Sequence, residues 1–229
     1  MRLDGKRILV TGGFGALGSA VVRACIAAGA EVAAIDRADA PAQPDTLTGA
    51  HLFGRIELAS EDAALHAVRK AQAALEGLDG VVNIAGGFRW EKLADGHLST
   101  WDHLWQVNLR SCAATCQAAL HWLGAGSAIV NIGANAALKA AAGMGAYAAS
   151  KAAVAKLTEA LAEELKERDI TVNAILPSII DTAANRADMP EADFSRWVKP
   201  EQLADAIVFL LSDRARAITG ALIPVVGRV

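Results

Sequence analysis

Along the 229 residues, short runs of aliphatic and β-branched residues alternate with longer Ala-rich stretches whose apolar positions recur every three to four residues. The short runs are Arg7–Val10, Glu31–Ile35, His51–Phe53, Gly80–Asn83, Ala128–Ile132, Thr171–Leu176 and Ala221–Val226. Most are apolar at nearly every position, the pattern of strands buried on both faces of a parallel sheet. The long stretches, Gly15–Ala28, Glu61–Glu76, Thr100–Leu123, Tyr147–Arg168 and Pro200–Ser212, predict helices, with Ser60 and Ser99 placed as N-caps. Repeated strand–helix units with both sheet faces covered predict an α/β fold, a doubly wound parallel sheet. The alternation breaks at 178–199, just after a strand. An insertion at the carboxyl end of a strand in such a sheet is predicted to act as a substrate lid. No internal repeat or second composition appears, so residues 1–229 form one domain.

The first strand runs into Thr11-Gly12-Gly13-Phe14-Gly15-Ala16-Leu17-Gly18, and a helical pattern follows. Gly13, Gly15 and Gly18 fit G-x-G-x-x-G, and Gly12, Gly15 and Gly18 fit G-x-x-G-x-x-G. Either spacing allows a tight turn and close backbone approach, and offers the unpaired N–H groups of a helix start to a pyrophosphate. Asp36 ends the second strand at the distance from the glycines where a ribose-binding carboxylate belongs. The chain thus reads as a single-domain Rossmann fold. A carboxylate at 36 repels a 2′-phosphate, which favours NAD over NADP, although Arg37 beside it leaves NADP possible. No Gly-x-x-x-x-Gly-Lys-Ser/Thr motif supports a P-loop enzyme.

Composition narrows the function classes. Basic and acidic residues number 22 and 25, for a net charge of −3, with no basic run, so nucleic acid is not an expected partner. No stretch approaches the roughly 20 apolar residues of a membrane span. The amino terminus lacks a leader pattern and the three cysteines are sparse, which together predict reduced thiols and a cytoplasmic setting. Cys112 and Cys116 are expected as core thiols, and the five histidines form no ligand pair of metal-binding spacing. Trp101, Trp105 and Trp122 are expected to pack on the long helix, while Trp90 and Trp197 lie on loops where they could stack on a flat ring.

The only tyrosine, Tyr147, stands four residues before Lys151, on one face of a helix. A cation about 5 Å from the phenol, at an effective dielectric near 20, favours the phenolate by roughly 3 kcal/mol. On spacing alone this is an ordinary surface pair. Its company changes that reading: Thr11–Gly18, Asn83-Ile84-Ala85-Gly86, Asn108 in Val107-Asn108-Leu109, Tyr147-Ala148-Ala149-Ser150-Lys151, and Val172-Asn173-Ala174-Ile175-Leu176-Pro177 followed by Thr182. With these motifs, in this order, the chain resembles the short-chain dehydrogenase/reductase family over essentially its whole length.

The resemblance implies hydride transfer between a nicotinamide cofactor and a small-molecule substrate. Tyr147 is implied as proton donor and acceptor, Lys151 as its tuner and ribose anchor, and Asn108 as support for a proton relay. The turn residues Gly12, Phe14, Gly15, Ala16, Leu17 and Gly18, with Asp36 and Arg37, would bind the cofactor. Asn83, Ala85 and Gly86 would line it near the adenine-side ribose, and Pro177, Ile180 and Thr182 would meet the nicotinamide carboxamide. A homodimer or homotetramer is implied through the helices carrying Asn108 and Tyr147.

One position departs from the family. Where a serine usually holds the substrate carbonyl, thirteen residues before the tyrosine, stands Ala134, with Asn135 next to it as a candidate substitute. A missing donor of this kind costs about 3 kcal/mol if nothing replaces it. Dihydropteridine reductases also lack that serine. The chain is similar to them in Gly12–Gly18, in Ala85-Gly86-Gly87, and in Asp181-Thr182 leading to Met189-Pro190-Glu191-Ala192-Asp193-Phe194-Ser195-Arg196-Trp197. Three substrates or roles stay open: a quinonoid pterin-like ring, a ketone or 3-oxoacyl thioester, and silent binding of NAD(H) as a sensor or scaffold.

Overall fold

A computed structural model describes residues 1–41 and 47–229. Seven parallel strands form one sheet in the order β3-β2-β1-β4-β5-β6-β7. They are β1 (Arg7–Thr11), β2 (Glu31–Ile35), β3 (Ala50–Phe53), β4 (Gly80–Asn83), β5 (Ala128–Ile132), β6 (Thr171–Pro177) and β7 (Leu222–Val225). The order reverses between β1 and β4, so their carboxyl ends diverge into the crevice where a doubly wound sheet binds ligands. Register brings Thr11 opposite both Ile35 and Asn83, and Asn83 opposite Asn131, at that same edge.

The apolar runs become strands because each side chain, up or down, finds a hydrophobic layer. Ile8, Val10, Val32, Ala34, Val82 and Val130 face one core, completed by Val21, Val22, Leu203 and Ile207. These last four lie on helices α1 (Ala16–Ala27) and α7 (Pro200–Leu211). Leu9, Ala33, Ile35, Val81 and Ile129 face the other, with Ala64, Val68, Leu75, Cys112, Val154 and Leu161. Those belong to α2 (Glu61–Leu75), α4 (Ser111–Ala119) and α5 (Gly145–Leu165). Burying each of these larger side chains contributes about 1.5–3 kcal/mol. The period-two split between the two cores leaves no strand register free to slip.

Helix ends agree with the sequence in one case and differ in another. The Ser60 side chain accepts from the Ala63 amide at 3.4 Å and caps α2. Ser99 caps nothing, because α3 (Leu98–Leu104) begins before it. There the carboxylate of Glu91, from the preceding loop, accepts from the amide of the N-cap residue His97 at 3.2 Å and ties the start of α3 to that loop. The helix predicted over Thr100–Leu123 is also broken. Between α3 and α4 the segment Trp105–Arg110 winds as a π-helix, a form that concentrates at functional sites.

Residues 178–199, expected as irregular, hold the short helix α6 (Ala183–Asp188) and a 3-10 turn at Phe194–Arg196. Arg186 grips Asp181 through two bonds of 2.6 and 2.8 Å, and its guanidinium lies 4.7 Å from the Phe194 ring centre. The segment is tied down at both ends, since Ile180 pairs with Val198 as an isolated bridge. Among the described residues no helix is long and apolar enough to cross a membrane.

Candidate active site

At the crevice, a cavity of about 360 Å³ is lined by Gly12, Gly15, Ala16, Leu17, Gly18, Asp36, Arg37, Ala85 and Gly86, all foreseen from the sequence. Close approach is built into its glycines. A Cβ on Gly12, whose φ is +65°, would lie 2.8 Å from the Ala85 amide, and one on Gly18 would overlap the Gly12 carbonyl. Gly15 is the N-cap of α1 and carries no side chain to satisfy the first amides, which stay available to an anion. Thr11 braces the far wall, its hydroxyl oxygen accepting from the Ile84 and Ala85 amides at 3.1 and 3.2 Å.

Asp36 sits at the other end of the cavity. Its two oxygens accept from the Phe14 and Ala38 amides, each at 3.0 Å, so the carboxylate is aimed by backbone on both sides. Phe14 itself does not line the cavity; it contributes that amide, while its ring packs on the core. The rest of the lining, including Ile56, Glu57, Leu58, Gly87, His103, Val107 and Ser111, was not foreseen. His103, Val107 and Ser111 recur every four residues, a spacing visible in the chain. Ile56–Leu58 comes beside the crevice only through the order of the strands.

Asn83 corrects an expectation. Its side chain turns away from the cavity and is 4% exposed; its amide nitrogen donates to Asn131 Oδ1 at 2.9 Å and to Cys116 Sγ at 3.2 Å. Register with Asn131 on the adjacent strand draws the amide inward, and only the backbone that follows it reaches the crevice. Cys112 and Cys116 are free, buried thiols within this polar cluster.

Beside Gly86 and Gly87 the catalytic candidates converge. Asn108 Oδ1 accepts from the Gly87 amide at 2.8 Å, and its nitrogen donates to the Gly87 carbonyl at 3.1 Å and to Ser150 Oγ at 2.9 Å. Lys151 Nζ donates to the Ile132 carbonyl at 2.7 Å, at the end of β5. A Cβ on Gly86 would stand 2.5 Å from Asn108 Oδ1 and 3.5 Å from Nζ, so the floor must be glycine there. Tyr147, on the first turn of α5, is partly buried with Phe88 edge-on at 5.0 Å.

The electrostatics differ from the pair arithmetic. Burial pushes the Tyr147 phenol up to about 12. Burial also brings Lys151 down to about 8, partly offset by Cys112. The expected lowering of the phenol by the ammonium is absent. The reason is geometric: Nζ is committed to a strand carbonyl, and helical spacing brings the two Cβ atoms together without joining the heads. The pair is a desolvated acid and a desolvated base, each near the energetic cost of charging, with a glycine floor between them and the crevice.

Pro177, Ile180 and Thr182 lie at and beyond the end of β6, and the Thr182 hydroxyl caps α6 by accepting from the Asn185 amide at 3.2 Å. Trp101 and Trp105, expected to pack within or against the long helix, are 36% and 48% exposed; Trp105 opens the π-turn, and Trp101, on α3, meets the start of α5 at Gly145. Trp197, expected at the mouth, is 6% exposed and rests on Phe194 at 4.8 Å. Trp90 remains on the surface and covers Gly143, just ahead of the Tyr147 helix.

A family model described as Enoyl-(Acyl carrier protein) reductase matches residues 14–227. The chain belongs to the short-chain dehydrogenase/reductase family. It is 31% identical over 252 residues to 2-(S)-hydroxypropyl-CoM dehydrogenase 3 of Xanthobacter autotrophicus, covering 99% of this chain and 97% of that one. A short-chain dehydrogenase of Burkholderia cenocepacia in complex with NADP superposes with a TM-score of 0.89 at 34% identity, covering 99% and 98%. A blue fluorescent protein from a metagenomic library, in complex with NADPH, superposes with a TM-score of 0.88 at 30% identity, covering 100% and 99%. The protein is therefore an NAD(P)-dependent oxidoreductase acting on a small molecule. The glycine cradle and the free amides of α1 fit such a dinucleotide, whose nicotinamide supplies or accepts the hydride.

Proposed function

We propose that this enzyme is an NADH-preferring reductase of a planar, conjugated substrate of the quinonoid pterin type. The observation that carries the reading is Ala134: it is 4% exposed and offers no donor where a carbonyl substrate needs one. Asn135 does not replace it, because it is exposed and opens a 3-10 turn. A conjugated ring spreads the developing charge over several atoms and depends less on a single hydrogen bond. Phe88, edge-on to Tyr147, offers such a ring an apolar wall beside the phenol.

In this reading Tyr147 exchanges the proton, Lys151 tunes it once the cofactor is bound, and Asn108 supports the relay. Gly12–Gly18, Ala85 and Gly86 hold the dinucleotide, Asp36 binds the ribose, and Pro177, Ile180 and Thr182 meet the nicotinamide amide. The segment 178–199 is the substrate lid. The working form is a homodimer or homotetramer joined through the helical stretch that carries Asn108, which continues into α4, and through α5, in the cytoplasm.

A second reading, a ketone or 3-oxoacyl-thioester reductase, draws on the family description and on the likeness to a hydroxypropyl-CoM dehydrogenase. Following NADH and NADPH oxidation with quinonoid dihydropterin, an acetoacetyl thioester and simple diketones separates the two. The first reading expects turnover of the pterin with NADH, and Tyr147→Phe should cut it by about 10²–10⁴-fold while NADH still binds. Turnover of the thioester alone would replace it with the second.

A further inference from the structure

Helix α5 carries two buried hydroxyls that clasp a distant asparagine. Thr158 Oγ1 donates to the Val154 carbonyl at 2.9 Å and accepts from Asn131 Nδ2 at 3.0 Å. Ser150 Oγ donates to the Tyr147 carbonyl at 2.8 Å and accepts from Asn108 Nδ2 at 2.9 Å. The geometry is alike, but the ends differ. Thr158 joins α5 to a strand in the interior. Ser150 joins Tyr147 to Asn108, and Asn108 in turn holds both the amide and the carbonyl of Gly87, in the wall of the crevice.

We propose that Ser150 is a positioning residue that ties the crevice wall at Gly87 to the backbone carbonyl of Tyr147, and so to the turn of α5 that carries the phenol. The inference rests on Tyr147 being the proton-exchanging group. The path Gly87–Asn108–Ser150–Tyr147 has four hydrogen bonds, and both side chains between its ends, Asn108 and Ser150, are 1% exposed, so water cannot substitute for a lost link. Ser150 also precedes Lys151, so the same turn of α5 fixes the ammonium against Ile132. A dinucleotide pressing on Gly86 and Gly87 loads this chain of bonds directly. The register of Tyr147 then follows occupancy of the crevice.

Because Tyr147 is the only tyrosine, the tyrosinate absorbance band after a rapid pH jump reports this phenol and no other. In the native chain, saturating NADH, by loading Gly87 and so the turn of α5, is expected to change the proton affinity of Tyr147 by about tenfold. Ser150→Ala should lose most of that NADH effect while still binding NADH, and Ser150→Thr, which keeps the hydroxyl, should restore it. Thr158→Val, which cuts the other clasp, should lower thermal stability and leave the NADH effect intact. Retention of the full effect in Ser150→Ala, or its equal loss in Thr158→Val, overturns the proposal. If Ser150→Ala does not fold, Ser150→Cys, with its weaker hydrogen bonds, is measured in the same way with the same expected loss. Should NADH leave the native phenol unmoved, the assignment of Tyr147 fails first, and the coupling falls with it.

Discussion

The two ends of the crevice are held by different physics. At the Gly12–Gly18 end the ligand-facing groups are backbone amides, and what matters is the absence of side chains: a positive φ at Gly12, and Gly18 pressed on the Gly12 carbonyl. At the Tyr147 end they are side-chain heads brought together by three separate elements, and what matters is exclusion of water. The first end is specified within one turn of chain. The second exists only when the π-turn, α5 and the β4 loop have met.

Breaking the first end should have the larger effect. Gly18→Val places atoms on the Gly12 carbonyl that nothing can yield to, costing about 3 kcal/mol or more and raising the NADH dissociation constant at least about 100-fold. Calorimetric titration and thermal unfolding read both, and near-native binding would show that the cradle tolerates bulk.

The second end should reveal itself through pH. Lys151 binds its proton less readily when folded, so stability is expected to rise as pH climbs from about 8 towards 10.5, the range in which the unfolded chain keeps a proton that the folded one has released. The gain is roughly 3 kcal/mol at full extent. Tyr147 has the opposite sign: its folded value of about 12 lies above the ordinary phenol value of 10.0, and stability falls between those limits as the unfolded phenol ionises first. Urea midpoints for the native chain and Lys151→Met test this, and the variant should lose the rise above pH 8.

Two smaller changes sharpen the contrast. Asp36→Asn removes the charge and leaves one acceptor oxygen for the two amides of Phe14 and Ala38, and should narrow the preference for NADH over NADPH by about tenfold. Initial rates with both cofactors measure it. Ala134→Ser adds a donor in a buried position and should raise activity on simple ketones by no more than about fivefold, because Phe88, edge-on to Tyr147, still keeps an apolar wall beside the phenol. A rise of several hundredfold would transfer the enzyme to the ketone class.

Some of this was legible in particular residues and some was not. Ser60 caps its helix, accepting from an amide three residues on; Ser99 does not, because α3 begins one residue ahead of it, where Glu91 holds the His97 amide from the preceding loop. Asn83 reads as a crevice residue until its pairing with Asn131 turns it inward. Trp197 leaves its expected place at the mouth and packs inward onto Phe194, while Trp105, at the start of the π-turn, is about half exposed.

By itself the sequence determined the strands, most of the helices and the glycine cradle, since each depends on spacing within a few residues, whereas Tyr147 and Lys151 stood out only in the company of motifs spread along the whole chain. Only the tertiary structure decided the protonation energetics of Tyr147 and Lys151, the π-turn that presents Asn108, and the wall formed by Ile56–Leu58. Those depend on how much water is removed and on which distant groups remain as partners, and both are properties of the packed chain.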